Sequence, residues 1–183
     1  MKELSLNVLD ITENSLKAGS TLTEILLCET NDTLSISIRD NGCGMKKEMC
    51  ERVTDPFCTS RTTRKVGLGV PFFKMAAEMT GGSFKIESRH IDEFPNNHGT
   101  EVEALFYKNH IDFTPLGEIV ETIVTLIQGH PESDFIFSHK KGENEVRLDT
   151  REIRAELGAE IPLNEIEILC WIKEYLNEQY INL

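Results

Sequence analysis

A chain of 183 residues with 39% hydrophobic content can fill the core of one domain, with or without an appendage. Its formal charge of −12 repels phosphate backbones and excludes general nucleic-acid binding, because the one basic run, at residues 61–65, is short. Five cysteines, odd in number and without a Cys-x-x-Cys pair, exclude a disulfide framework and a standard zinc site and fit reduced thiols in a cytoplasmic protein.

No charged-then-apolar signal pattern opens the sequence, and no apolar run approaches ~18 residues, so no membrane segment is expected and any attachment would come through a partner. Leu4, Val8 and Ile11 at helical spacing, with Gly19 at the stop, predict a first helix over 4–18. On it Asp10, Asn14 and Lys17 fall on one side, which offers a carboxylate, an amide and an ammonium together or is simply a solvated face. Strands are expected over 24–28 and 33–39. In the second, Leu34, Ile36 and Ile38 alternate with polar residues, so the strand delivers Asp40 to its own end. Asn41-Gly42 then signals a turn, and Gly42 and Gly44 allow close backbone approach to a ligand. A carboxylate held there can accept a hydrogen bond from an exocyclic amine while the backbone lies along a flat ring, which is one way to read adenine. Alone, Asp-Asn-Gly fits a hairpin turn equally well.

A short helix over 45–53 follows, then Phe57, which core filling would also explain. The polar, basic run containing Thr59, Arg61, Arg64 and Lys65 suits phosphate in a protein otherwise acidic. Gly67-Leu68-Gly69-Val70-Pro71 opens a helix, with Pro71 expected at its first position and Gly81-Gly82 at its stop, and aims backbone N–H groups at an anion. Neither a P-loop nor the dinucleotide fingerprint is present. Strands are expected over 84–88 and 100–107. Beyond His110 the pattern predicts a helix over 115–129, hairpin strands over 135–138 and 146–148 around Lys141-Gly142, and two final helices. Asp149 with Glu152, and Asn164 with Glu167, have capping-box spacing, and Leu163 could staple onto Ile168.

Taken in order, Asp10-Ile11-Thr12-Glu13-Asn14-Ser15-Leu16-Lys17-Ala18, Asp40-Asn41-Gly42-Cys43-Gly44, Asp55-Pro56-Phe57, Gly67-Leu68-Gly69-Val70 and Gly99-Thr100 resemble the four-motif signature of the GHKL ATPase superfamily. That superfamily comprises gyrase, the large heat-shock chaperone, mismatch-repair ATPases and histidine kinases. The resemblance implies ATP as ligand, with Asp40 on adenine, Asn14 on Mg²⁺, and Lys17 approaching phosphate as in the kinase pattern Asn-Ala-x-Lys. Asp10 stands where ATPase branches carry a water-activating glutamate, and is one methylene shorter. Phe57 matches the kinases' phenylalanine box, and Thr59, Arg61, Arg64 and Lys65 fall in what would be the ATP lid. Gly67, Leu68, Gly69 and Val70 match the kinase box Gly-x-Gly-Leu with valine for leucine, and Thr100 would support Asp40 through its hydroxyl. His110-Ile111-Asp112-Phe113-Thr114-Pro115-Leu116 is similar to the kinases' phosphoacceptor box, but that box precedes the nucleotide domain; a helix start capped by Thr114 and Pro115 is the preferred reading.

The expected fold is α+β, a two-layer α/β sandwich of the Bergerat type in which helices back a mixed sheet. Residues 1–109 would form a histidine-kinase-like ATP-binding domain, and residues 110–183 a small α+β C-terminal extension that packs on it or on a partner. The expected function is Mg²⁺-dependent ATP binding with γ-phosphoryl transfer to a protein partner. A slow ATPase switch and a non-catalytic nucleotide-dependent module are the alternatives.

Overall fold

The computed structural model describes residues 2–54, 68–158 and 161–183. Along these residues run α1 (Leu4–Lys17), β1 (Leu22–Glu29), β2 (Thr33–Asp40), α2 (Lys47–Val53), α3 (Gly69–Met79), β3 (Ser83–Arg89), β4 (Gly99–Tyr107), α4 (Ile119–Gly129), β5 (Asp134–Lys141), β6 (Asn144–Asp149), α5 (Thr150–Leu157) and α6 (Ile166–Tyr180). The strands make one mixed sheet in the order β3-β4-β2-β1-β5-β6. Within it β1 and β5 are parallel and the other neighbours antiparallel. Helices α3, α1, α4 and α6 pack side by side in that order over one face, α3 against β3 and β4, α6 against β6. The α+β sandwich expected from the sequence is therefore present.

Alternation explains which residues fill the core. Leu34, Ile36 and Ile38 of β2 are buried, and the next inward position of the same strand is Asp40. On β4 the inward row is Thr100, Val102, Ala104 and Phe106. Phe106 and Phe73 of α3 meet at 5.5 Å between ring centroids, which fixes α3 on the sheet.

Residues 110–183 share this core. β5 pairs with β1 from Leu22↔Asp134 to Glu29↔Lys141, and its Phe135 and Phe137 are buried with Ile25 and Leu27. Helix α4, packed against α1, carries the chain from β4 across to β5, which then lies parallel to β1.

Several local expectations are corrected. Helix α4 begins at Ile119, not at 115, because the carbonyls of Pro115 and Leu116 accept the amides of Leu4 and Ser5 at 2.9 and 2.8 Å. That segment caps α1 from outside instead of joining the helix. Pro71 lies two residues inside α3, which starts at Gly69. Asp149 caps α5 through the Arg151 amide as expected, but Glu152 turns to Arg147 at 2.9 Å instead of closing a capping box. α6 starts at Ile166 with Glu165 as N-cap and no side-chain cap, so Asn164 does not serve.

Candidate functional site

Strand register builds one row of polar side chains across the inward face. Ser88 of β3 pairs with Thr100 of β4, Thr100 with Asp40 of β2, and Asp40 with Thr23 of β1. Asp40 is 9% exposed. Its Oδ1 accepts the amides of Gly42 at 2.8 Å and Thr100 at 3.2 Å, and its Oδ2 accepts the Ser15 hydroxyl at 2.7 Å. Three donors thus hold a buried carboxylate that would otherwise be costly to desolvate.

The turn after Asp40 is wedged between α1 and β3. Cys43 N–H donates to the Ala18 carbonyl at 2.9 Å, and Ile91 N–H to the Cys43 carbonyl at 2.9 Å. Gly44, at φ +66°, passes so close that a Cβ there would stand 2.0 Å from the Arg89 carbonyl oxygen, so no side chain fits. His98 Nδ1 lies 2.6 Å from the Gly42 carbonyl, so this nitrogen carries the proton. Asn41 faces away: its Oδ1 accepts the amides of Thr21 and Leu22 at 2.9 and 3.0 Å.

Asp10, Asn14 and Lys17 line the solvent side of α1, as their spacing predicts; Asp10 and Lys17 are exposed and Asn14 half-buried. Lys17 also reaches Glu13 at 3.5 Å, and Glu13 in turn meets His130 at 2.8 Å. Burial tends to raise the Glu13 pKa, but His130 and then Lys17 outweigh it and hold the carboxyl below its usual value. The N-terminus of α3 comes directly onto this face. A Cβ on Gly69 would stand 2.9 Å from Asp10 Cβ, so the helix start approaches α1 only because residue 69 has none. Leu68, the N-cap, gives no side-chain cap, so the first amides of α3 receive none from it. Leu68 is exposed, whereas Gly69 and Val70 are buried.

Asp40, Gly42, Gly44 and Thr100 are therefore drawn together by the sheet and its turn, and Asp10, Asn14, Leu68, Gly69 and Val70 by α1 and α3. The hydroxyl that reaches Asp40 is that of Ser15; Thr100 brings its amide and pairs its own hydroxyl with Ser88 at 2.8 Å. Ser88 also accepts the Met45 amide at 2.7 Å. Sequence reasoning missed Ser15 and Ser88. Their signal was a hydroxyl on an otherwise apolar inward stripe, beside Val8 and Ile11 for one and Phe84 and Ile86 for the other. The expectations for Phe57, Thr59, Arg61, Arg64, Lys65 and Gly67 lie outside the described residues.

A helix-backed mixed sheet with a buried carboxylate at one strand end, and a helix N-terminus brought against the first helix by a glycine, defines the class as an α+β nucleotide-binding domain of the Bergerat type. The profile of the histidine kinase-, DNA gyrase B- and HSP90-like ATPases matches residues 1–110, and the chain belongs to that family. A protein of Shewanella frigidimarina (strain NCIMB 400) described as a sensor protein is 29% identical over 103 residues, which are 54% of this chain and 15% of that protein. Among solved structures, the Aquifex aeolicus MutL ATPase domain complexed with ADP has a TM-score of 0.56 at 21% identity, covering 81% of this chain and 63% of that one. The N-terminal domain of a DNA repair protein has a TM-score of 0.55 at 15% identity, covering 87% of this chain and 58% of its own. Both likenesses concern the fold. The chain spans under two thirds of the length of each of these relatives.

Proposed function

We propose that this chain is a Mg²⁺-dependent ATP-binding enzyme of the histidine-kinase type, which passes the γ-phosphoryl group to a protein partner in the cytoplasm. The observation that carries the reading is the Asp40 carboxylate, buried, held by Ser15, Gly42 and Thr100, and set at the end of the strand beside α1. Asp40 would accept the exocyclic amine of adenine, with the Gly42 and Gly44 backbone along the ring and Thr100 steadying the carboxylate. Phosphates would lie toward Lys17 and the α3 N-terminus with Gly67, Leu68, Gly69 and Val70, where the helix dipole and its first backbone amides favour negative charge. Phe57, Thr59, Arg61, Arg64 and Lys65 would close over them.

Asn14 would hold Mg²⁺ by its amide oxygen together with phosphate oxygens, since this ion keeps much of its water and needs few protein ligands. The arrangement fits: Asn14 is accessible one turn beyond Asp10, where Gly69 leaves space for a close approach. The ion supplies charge neutralisation at the transferring group. Phosphoryl transfer asks for positioning and charge, which Lys17 and the α3 amides offer. Among the described residues Cys28, Cys43, Cys50 and Cys170 are free thiols, exposed or half-buried, which suits a reducing compartment.

A slow ATPase switch is the second reading, favoured by Asp10, whose exposed carboxylate sits against Gly69 where a base for water would stand. Incubation with γ-labelled Mg·ATP, with and without cell extract, separates the two. Transfer predicts labelled protein that depends on an acceptor and little free phosphate. Brisk phosphate release by the isolated chain, lost in Asp10→Asn with ATP affinity unchanged, overturns the kinase reading in favour of the switch.

A further inference from the structure

At the β6 edge of the sheet, α5 and α6 leave between them a cleft of about 610 Å³. Its walls are apolar: Leu148 from β6, Ile153 and Leu157 from α5, and Ile168, Trp171 and Tyr175 from α6. Helical spacing makes the two stripes, since residues three and four apart share a face. Trp171 and Tyr175 stack with centroids 5.2 Å apart and planes 14° apart, and are 49% and 40% exposed. Two large rings thus stand preorganised and uncovered.

The rim is acidic. Glu152, Glu156 and Glu167 border the cleft, and Arg147, the cation among the lining residues, is engaged by Glu152 at 2.9 Å and Asp149 at 3.8 Å. Among the described residues no cation pairs with Glu156 or Glu167.

We propose that this cleft receives an amphipathic helix of a protein partner, apolar on one side and flanked by lysine or arginine. Charge selects the sign, because an acidic or uncharged segment would leave Glu156 and Glu167 unpaired beside its own apolar contacts. Shape selects a helix: α5 and α6 turn apolar stripes to one cleft without closing on each other, so a third helix completes the layer. Strand addition to β6 is disfavoured, since the Gln179 side chain already takes the Arg147 amide at 2.8 Å and donates to its carbonyl at 3.2 Å. The inference rests on the proposed phosphoryl transfer to a protein partner, and gives that partner a docking place on residues 110–183.

Trp171 is the chain's single tryptophan, so its emission reports occupancy. The probe is a synthetic leucine–lysine amphipathic helix without tryptophan, titrated into the full chain beside the same peptide with glutamate for lysine. ATP affinity is measured on every sample. A saturable blue shift is expected with the lysine peptide and binding weaker by about tenfold or more with the glutamate peptide. The double substitution Glu156→Lys, Glu167→Lys should reverse that order, and Trp171→Ala, followed with a labelled peptide, should weaken binding by a similar factor. Equal binding of both peptides, or no shift while ATP binding is intact, overturns the docking site alone. Lost ATP binding with retained, charge-selective peptide binding supports the docking site and sinks the nucleotide reading instead.

Discussion

Ser15 donates its hydroxyl to Asp40 Oδ2 at 2.7 Å and thereby ties the helix that carries Asn14 to the strand that ends in Asp40. The contact is buried, with Ser15 6% exposed, and sets the spacing between the two halves of the site. Ser15→Ala removes a hydrogen bond to a charged group, worth about 1.5–3 kcal/mol. The urea midpoint should fall accordingly, and ATP affinity should drop with it, because Asp40 loses one of its three positioning donors. An unchanged affinity in calorimetric titration would show that Ser15 is only structural.

Asp40→Asn keeps the shape and leaves one oxygen to accept the Gly42 and Thr100 amides, so folding should survive. The amide cannot replace both carboxylate oxygens as an acceptor for an exocyclic amine and for Ser15 at once. ATP affinity should fall by more than about tenfold, the equivalent of losing one charge-assisted contact. Binding like that of the parent protein would remove Asp40 as the adenine reader.

How much of this was legible beforehand depends on whether a feature is local. Asp40 could be found because strand period and turn chemistry both act over a few residues, and Leu34, Ile36 and Ile38 point to the next inward position. Ser15 was hidden, since its partner lies 25 residues away and is chosen by helix packing. The late start of α4 was hidden for the same reason: Pro115 suits a first helical position, but the free amides of Leu4 and Ser5 claim its carbonyl and that of Leu116. The β1–β5 pairing joins residues more than a hundred apart, and an apolar strand does not name its neighbour.

Asn14→Ala should leave folding intact, because the side chain is half-exposed on α1 and contributes no core contact. Its loss should appear only when the metal is present. ATP titrated with and without Mg²⁺ checks this, and an equal decline in both conditions would make Asn14 a structural residue.

Gly69→Ala tests the approach of α3 to α1. The added methyl would meet Asp10 Cβ at 2.9 Å, which is not the movable end of a side chain, so the helix start must back away. Alanine also favours helix over glycine by about 1 kcal/mol, which offsets part of the strain in the stability measurement. ATP affinity should therefore fall several-fold while the unfolding midpoint moves little. Adding Asp10→Gly, which removes the obstructing Cβ, should restore affinity; if it does not, the helix start is not what the phosphates read.

Stability should depend on pH through the group that fastens β5 to the rest of the sheet. His139 is 2% exposed, with Nε2 3.2 Å from Glu29 Oε2 and Nδ1 2.9 Å from the Tyr180 hydroxyl. Burial holds the His139 pKa below the usual imidazole value, and the nearby Glu29 offsets this only in part, with Lys141 and Lys108 adding to the depression. Burial also pushes Glu29 up, but Lys108, bonded at 2.6 Å, then Lys141 and His139, bring its carboxyl net below the usual range. Tyr180 is raised by burial and by Glu29, so it stays protonated throughout. As pH falls through about 6.5, the unfolded chain takes up a proton at His139 that the folded chain refuses, so stability is present above that value and declines toward the folded pKa. Below about 4.5 the unfolded Glu29 protonates before the folded one, and a second decline follows. His139→Gln can still bond both neighbours and has no charge to gain, so its urea midpoint should stay flatter than the parent's between pH 7.5 and 5.5 while the acid limb remains. Parallel curves for the two proteins over that window would mean that His139 is not the group that titrates.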